Sequence, residues 1–227
     1  MTMWADFRER VILEDDGILV LDKPAGVSVM GERHESDLVR MAAEKGEELF
    51  PVHRIDKVTS GVILFAKDLS VHGGLTRQFN KRTVDKAYLA VTTPGGLPPT
   101  GRIDLPLSVG RKNRVRIAAP RESIVLKDDT WTVPASAVFD TVSTYPSVTT
   151  FTVRSQTAER ALLEAVPQTG RRHQIRVHLA WIGHPIVGDP LFEKSPAGRT
   201  YLHSWRLSFD HRGERVTVEA PPPPGFA

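Results

Sequence analysis

The stretch HRIDKVTSG (residues 53–61) leads directly into the nearly continuous apolar run of GVILFAKD (61–68). Such a short apolar run, bounded by turn residues, predicts a buried strand. The preceding segment holds an arginine and an aspartate two residues apart. Asp56 fits four roles: a turn or cap residue, a metal ligand, part of a hydrolase triad, or a catalytic carboxylate that acts on RNA.

Two of these roles find little support in the rest of the chain. His173, His178 and His184 are five and six residues apart. They therefore do not share a helical face, as the two histidines of a helical metal site do. No G-x-S-x-G motif marks a nucleophile elbow. A structural turn and a catalytic carboxylate both stay open for Asp56.

The neighbourhood of Asp56 permits catalysis. A carboxylate acts as a nucleophile or a base when it is ionised, and a nearby arginine favours the ionised form. In an extended segment, Arg54 and Asp56 lie on the same side of the chain because they are two residues apart. Arg54 can therefore pair with the acid or reach past it to a phosphate or a base stack.

Composition indicates an ordinary globular protein. The chain has 227 residues, 40% of them hydrophobic and 25% charged, which is enough to bury a core. It contains no apolar run of about 18 residues, and its first residues carry acids where a secretory signal would be basic and apolar. Cysteine is absent, which excludes disulfides, thiolate zinc sites and cysteine nucleophiles. We expect a cytoplasmic protein.

Positive charge is concentrated in two stretches, although the net charge is only +3. GRKNRVRIAAPR (110–121) has five Lys or Arg residues, and TGRRHQIRVH (169–178) has three Arg and two His; neither contains an acid. Local basic stripes of this kind suit a polyanionic partner. Two solvated loops are the alternative that charge alone leaves open.

Strands and helices are mixed without a regular βαβ alternation, which predicts an α+β fold. Helices are predicted within SDLVRMAAEKGEE, where Ser36 is a candidate cap, within SVHGGLTRQFNKR, and within RRHQIRVHLAWIG, which Gly183 and Pro185 end. Within VILEDDGILVLDKPAGVSV, two short strands are predicted around Asp-Asp-Gly, closed by the turn Lys-Pro-Ala-Gly. The other predicted strands are GVILFAKD, DKAYLAVT, FTVRSQT, RALLEAVPQT, and the hairpin of WRLSFD and RVTVEA. Residues 94–145 are interpreted as a loop-rich hairpin region.

An ordered set of motifs resembles the RluA-like family of RNA pseudouridine synthases. ILVLDKPAGVSV looks like the family's opening strand and turn, and HRIDKVTSGVILFAKD like its catalytic loop and following strand. KRTVDKAYLAV is similar to the stretch that bears its active-site tyrosine. GRRHQIRVHLAWIGHPIVGDPLF and LHSWRLSF complete the series in family order. The resemblance covers residues 15–210, which makes it far more specific than one short motif.

The resemblance implies a pseudouridine synthase catalytic fold: a mixed, largely antiparallel sheet with flanking helices and loops around a central RNA-binding cleft. We expect a single catalytic domain over residues 1–227, with its core at 15–220 and no N-terminal S4-type RNA-binding domain. The implied reaction isomerises uridine in ribosomal or transfer RNA to pseudouridine by base flipping, without cofactor or metal. We also expect a monomer. An inactive RNA-binding protein on the same fold is the alternative.

Site residues follow from the resemblance by position. Asp56 is the essential carboxylate, Tyr88 the tyrosine that stacks on the ring and serves proton transfer, and Arg176 the basic partner of Asp56. Arg54 is expected to enter the stack that the target nucleotide vacates. Further RNA contacts are expected from the remaining candidates: His53, Arg114, Arg116, Arg172 and His173.

Two departures from the family pattern are small. Ile55 stands where leucine is common, an apolar exchange that keeps the packing. Arg172 stands where threonine is usual, which adds charge to the expected RNA face. His53, His173 and Gln174 have a second interpretation as residues that brace loops.

Overall fold

The computed structural model describes residues 4–31, 37–194 and 198–226. The α-helices in these ranges are α1 (Trp4–Arg8), α2 (Leu38–Ala43), α3 (Leu69–Lys81) and α4 (Gln174–Trp181). The strands up to the middle of the chain are β1 (Val11–Glu14), β2 (Ile18–Lys23), β3 (Phe50–Pro51), β4 (Ser60–Ala66), β5 (Asp85–Thr92), β6 (Thr100–Asp104), β7 (Leu107–Val109) and β8 (Val115–Ile117). The later strands are β9 (Val125–Lys127), β10 (Thr130–Thr132), β11 (Thr144–Tyr145), β12 (Val148–Gln156), β13 (Ala161–Pro167), β14 (Leu202–His211) and β15 (Glu214–Glu219).

The chain forms two compact units. The first comprises Met1–Ala87 and Leu202–Pro224, and the second comprises Tyr88–Tyr201 and Gly225–Ala227. The chain passes from the first unit into the second within β5. The single catalytic domain expected from the sequence stays a prediction.

The first unit is built on strands in the order β1-β2-β4-β14-β15, with β3 also paired to β4. β4 and β14 run parallel, whereas the other pairs are antiparallel. Every residue of β4 is buried, as its apolar run predicted. The core of this unit includes Val62 and Leu64 of β4, Leu75 of α3 and Phe209 of β14. Phe79 of α3 packs against the same cluster, so one face of the predicted helix is apolar and faces the core.

Asp37 and Asp68 cap the two longer helices of the first unit. The Asp37 side chain accepts hydrogen bonds from the amides of Arg40, at 3.0 Å, and Gly31, at 2.8 Å. Each bond satisfies an amide that would otherwise lack a partner at the start of α2 or in the preceding loop. The expected cap, Ser36, lies outside the described residues.

The Thr-Ser-Gly sequence that ends the opening stretch is explained by the pairing of β4 with β14. Gly61 has φ of +104°, and a Cβ atom there would collide with the carbonyl group of Ser204. Only glycine therefore lets the two strands approach. Next to it, Ser60 Oγ lies 2.8 Å from His203 Nδ1, and His203 Nε2 lies 2.9 Å from the carbonyl oxygen of Ala220.

The second unit contains a sheet in the order β5-β13-β12-β6-β10-β9 and a smaller one in the order β11-β7-β8. β6 and β10 are parallel, and the other pairs are antiparallel. α4 packs against β8, β12 and β13. It ends before Gly183, whose φ is +97°, as predicted. Within residues 94–145, β7 with β8 and β9 with β10 form short antiparallel pairs, as the hairpin interpretation predicted, whereas β6 lies in the larger sheet between β12 and β10.

The predicted α+β class with a mixed, largely antiparallel sheet is confirmed. The observed bounds of β5 coincide with DKAYLAVT, and the last hairpin turns at Arg212 and Gly213, both with positive φ. No described helix is both long and apolar enough to cross a membrane.

Candidate active site

Asp56 lies in an irregular loop of the first unit between β3 and β4. Its main-chain carbonyl accepts a hydrogen bond of 3.0 Å from the amide of Thr59, which closes a turn just before β4. Asp56 is half-buried, whereas Ile55 is buried and Arg54 is exposed. Burial of Ile55 agrees with the expectation that isoleucine is accommodated at this position.

Lys23 is hydrogen-bonded to the same loop. It was not among the expected site residues. Its side chain is fully buried, and Nζ donates to the carbonyl oxygens of Pro24 (2.9 Å), Val27 (2.7 Å) and Lys57 (3.3 Å). The Gly26 amide donates to the same Lys57 carbonyl at 2.8 Å. The turn of LDKPAG is thereby tied to the residue after Asp56. Burial of a charged side chain requires such partners.

His53, two residues after β3, faces the interior of the first unit. Its Nε2 accepts a hydrogen bond of 3.0 Å from the Leu64 amide, and its ring stacks on Phe79 at 4.6 Å between centroids with an angle of 11°. Burial, and secondly the positive charge of Lys86, lower the pKa of His53 to about 3. These contacts support the bracing interpretation of His53.

Two cations of the first unit lack an acidic partner among the described residues. Arg54 is exposed, and no hydrogen bond or ion pair joins its side chain to another described residue. Lys86 is half-buried; burial, and then the positive charge of Arg82, lower its pKa. Burial and the neighbouring positive charge thus disfavour the charged form of Lys86.

Tyr88 belongs to the second unit, at the start of its portion of β5. It pairs with Ala165 of β13 and is half-buried. A tyrosine on such a strand presents an aromatic face with a polar hydroxyl at its end.

Arg176 forms a buried, bidentate ion pair in the second unit. Nε lies 2.8 Å from Asp189 Oδ2 and Nη2 lies 2.6 Å from Asp189 Oδ1. The Arg176 side chain is 4% exposed and that of Asp189 is fully buried. This fork fixes the plane of the guanidinium group. Asp189 was missed because the Gly-Asp-Pro sequence around it has the composition of a surface turn.

Gln174 braces the loop before α4. Its side-chain oxygen accepts from Thr169 Oγ1 (2.6 Å) and from the Arg171 amide (3.1 Å), while Nε2 donates to the Val148 carbonyl (2.9 Å) and to Thr149 Oγ1 (3.1 Å). The buried amide group is therefore fully engaged within the second unit. The structure supports bracing for this residue, while His173 is half-buried in a left-handed conformation at the start of α4.

The two basic stretches meet in the second unit. Arg172 donates to the main-chain carbonyl of Asn113. Arg116 lies over the ring of Phe139 at 5.7 Å, and Arg114 is exposed. Arg121, by contrast, donates to the last carbonyls of α4 and so stabilises its C-terminus.

The histidines considered as metal ligands have other partners. His178 is buried; Nδ1 lies 3.0 Å from Thr149 Oγ1 and Nε2 3.0 Å from the Leu105 carbonyl. Burial lowers the pKa of His178 to about 4. His184 Nδ1 lies 3.0 Å from the carbonyl of Pro94. Among residues 4–31, 37–194 and 198–226, no group of three or more His, Asp or Glu side chains is arranged to hold a metal ion.

The structure thus places the expected site residues in two groups. His53, Arg54 and Asp56 belong to the first unit. The second unit holds the remaining candidates: Tyr88, Arg114, Arg116, Arg172, His173 and Arg176.

Comparison with solved structures identifies the class of fold. The chain matches the structure of human RNA pseudouridylate synthase domain containing 4 with a TM-score of 0.79 and 25% sequence identity, over 98% of this chain and 92% of that one. Human RNA pseudouridylate synthase domain containing 1 matches with a TM-score of 0.73 and 23% identity over 94% and 83% of the two chains. The fold is that of pseudouridylate synthases.

Sequence comparison gives the family. The family model of RNA pseudouridylate synthases matches residues 17–181. The dual-specificity RNA pseudouridine synthase RluA of Vibrio vulnificus is 35% identical over 88% of this chain and 77% of its own length. The tRNA pseudouridine synthase C of Haemophilus influenzae is 34% identical over 92% and 91%, and the ribosomal large subunit pseudouridine synthase D of Nitrosomonas europaea is 30% identical over 96% and 63%. The chain belongs to the RNA pseudouridylate synthase family, among its RluA-like members. It is a pseudouridine synthase, an isomerase that acts on uridine in RNA.

Proposed function

We propose that this enzyme isomerises uridines of ribosomal or transfer RNA with Asp56 as its catalytic carboxylate. The observation that carries the assignment is the support around the Asp56 loop. Lys23 Nζ and the Gly26 amide donate hydrogen bonds to the carbonyl of Lys57, and the Thr59 amide donates to the carbonyl of Asp56. A half-buried acid whose own carbonyl and the following carbonyl are both held by hydrogen bonds is preorganised for chemistry.

The chemistry conserves all atoms of the nucleotide. The N1–C1′ bond of uridine breaks, a C5–C1′ bond forms, the proton on C5 is lost, and N1 finally carries a proton. We assign Asp56 to the carboxylate role and Tyr88 to stacking on the ring and proton transfer at C5, as the family resemblance implies. Arg176 is assigned as the basic partner of Asp56, and its rigid pairing with Asp189 supports a fixed orientation.

A target inside an RNA stem has to leave the base stack before its glycosidic bond is accessible. Arg54 is assigned to the space that the base vacates. Its exposed, unpaired guanidinium group supports this role, because arginine stacks on bases and also binds phosphates. The remaining candidates, Arg114, Arg116, Arg172 and His173, are assigned to the RNA-binding surface. His53 is assigned to support of the loop instead, because its ring accepts the Leu64 amide and stacks on Phe79.

The class of RNA in this proposal is taken from the names of the relatives. Their names give transfer RNA for the Haemophilus protein, the large ribosomal subunit for the Nitrosomonas protein and dual specificity for the Vibrio protein. Carbodiimide mapping of pseudouridines in cellular RNA, with and without this gene, identifies the target.

The monomeric state and the cytoplasmic location stay predictions. Light scattering measures the first, and cell fractionation measures the second.

Asp56→Asn tests the catalytic assignment. The variant keeps the shape of the side chain and removes its charge, so RNA binding is expected to be nearly unchanged while pseudouridine formation stops. The assay follows tritium release from RNA labelled at uridine C5, with Asp128→Asn as a control at an exposed turn position. Turnover above about a thousandth of the wild-type rate would refute the role of Asp56.

A further inference from the structure

β4 has a gap in its hydrogen-bond ladder at Leu64. On one edge β4 pairs with β2 from Gly61 to Ala66. On the other, β3 pairs with Phe65 and Ala66, and β14 pairs with Ser60 and Gly61, so neither of these pairings includes Leu64. Leu64 is fully buried. An amide group there needs a partner, because a buried N–H without one destabilises the fold.

The side chain of His53 fills this gap. Nε2 accepts the Leu64 N–H at 3.0 Å, which requires Nε2 to be unprotonated and places the ring proton on Nδ1. The ring is held in its plane by the stack on Phe79 of α3. A side chain, rather than a further residue of β3, therefore satisfies the Leu64 amide, and the main chain turns away after β3.

The residues that turn away are those of the candidate site. Arg54 follows His53 directly, Ile55 is buried, and Asp56 comes next. The inward-facing His53 and Ile55 flank the exposed Arg54. At the far side of Asp56, the carbonyl of Lys57 is held by Lys23 and Gly26. His53 is thus the anchor of the loop on the side of β3.

We propose that His53 is a positioning residue: by accepting the Leu64 amide it sets the path of the Arg54–Asp56 segment and thereby the rate of the chemical step. This proposal rests on the proposed function of Asp56. It assigns to His53 an action through the main chain, without contact to the reacting uridine.

Three variants separate the two contacts of the ring. His53→Phe keeps an aromatic ring for stacking but leaves the Leu64 amide without an acceptor. His53→Gln restores an acceptor oxygen at about the distance of Nε2 without the ring. Phe79→Leu removes the stack and leaves the acceptor in place. For each variant, the single-turnover rate at saturating RNA and the dissociation constant are measured, together with thermal unfolding.

We expect His53→Phe to lower the single-turnover rate by about 100-fold, since a displacement of about 1 Å at a reacting group has that effect. The dissociation constant should stay within twofold, because the ring does not contact the RNA. His53→Gln should recover part of the rate, and Phe79→Leu should retain most of it. A weakened dissociation constant with a normal saturated rate would overturn the proposal and make His53 an RNA contact.

Asp56→Asn, measured in parallel, separates the two hypotheses. If Asp56→Asn is inactive while His53→Phe reacts at the wild-type rate, the positioning role is wrong and the function of Asp56 stands. If Asp56→Asn is active, the proposed function itself is wrong.

Nitrogen NMR of the wild-type protein provides a measurement that does not depend on the folding of variants. The His53 ring should show protonated Nδ1 and unprotonated Nε2 and should stay neutral well below the ordinary histidine pKa of about 6.5. A ring that titrates near that value, or that carries its proton on Nε2, would contradict the hydrogen bond to Leu64 and the proposal with it.

Discussion

Arg172 donates a hydrogen bond to the main-chain carbonyl of Asn113, and this contact joins the two basic stretches of the second unit. Arg172 precedes α4, whereas Asn113 lies in the turn between β7 and β8. The exposed Arg114 and Arg116 follow that turn. Basic residues that lie more than 50 positions apart in the sequence are therefore close together in the second unit. Exposed positive charge of this kind suits a polyanionic substrate.

The first prediction concerns this surface. Reversing the charge at Arg114 and Arg116 to Glu should weaken RNA binding and leave the saturated rate of the chemical step nearly unchanged. Each lost phosphate contact should also reduce the slope of log affinity against log salt by about one. Filter binding over a salt series measures both quantities.

A matched control replaces two exposed cations of the first unit, Arg40 and Lys45, by Glu. This control carries the same change of charge and should affect affinity less. Equal effects of the two double variants would indicate a general response to net charge. An unchanged dissociation constant in the Arg114 and Arg116 variant would mean that these residues belong to a solvated loop.

The sequence predicted most strands because their patterns are local. The apolar run of β4 and the alternation in β5 depend only on which residues face the core, and both strands were correctly placed. Helix boundaries were less certain: Asp37, the observed cap of α2, directly follows the expected Ser36. Both residue types cap helices well, so propensity alone does not choose between them.

Support residues were harder to predict than the residues they support. Lys23 is buried only because three carbonyl oxygens converge on it, one of them 34 positions further along the chain. Asp189 depends in the same way on Arg176, and His53 depends on a gap in the pairing of β4. These partners arise from tertiary structure, and a lone charged residue in a turn sequence carries no local signal of them.

The second prediction concerns the ion pair of Arg176 and Asp189. Asp189→Leu leaves a buried guanidinium group without its carboxylate and should lower the free energy of unfolding by about 3–5 kcal/mol. The double variant Arg176→Met with Asp189→Leu should recover much of that stability, because two apolar side chains replace the pair. Urea denaturation measures both effects.

Activity separates support from catalysis in the same variants. If Arg176 is the basic partner of Asp56, the double variant should stay inactive although it is stable. Pseudouridine formation near the wild-type rate in the stable double variant would show that Arg176 and Asp189 serve only the fold.

The third prediction concerns Lys86, whose half-buried ammonium has no acidic partner among the described residues. Lys86→Met removes the desolvated charge, so the free energy of unfolding should rise by about 0.5–2 kcal/mol. RNA affinity should fall severalfold if the ammonium binds a phosphate. Thermal unfolding and filter binding measure the two changes, with the exposed Lys45→Met as control. Higher stability without any loss of affinity would exclude a phosphate contact.

The last prediction concerns Arg54 and distinguishes base flipping from tuning of Asp56. If Arg54 fills the vacated stack, its loss should matter in proportion to the energy needed to unstack the target uridine. Arg54→Ala should therefore be slow on a structured stem-loop and less impaired on an RNA whose target is already unpaired. Arg54→Lys should resemble Arg54→Ala, since a lysine keeps the charge but has no planar group to stack.

The competing explanation is that Arg54 keeps Asp56 ionised. Loss of that positive charge would raise the pKa of the carboxyl group, so the defect would be equal on both RNAs and would shrink as the pH rises. Arg54→Lys would then retain most of the activity. The structure favours flipping, because the Arg54 side chain is exposed and has no ion pair with any described residue, Asp56 included. Single-turnover rates of both variants on the two RNAs across a pH series decide between these outcomes, and equal defects that diminish at high pH would assign Arg54 to the ionisation of Asp56.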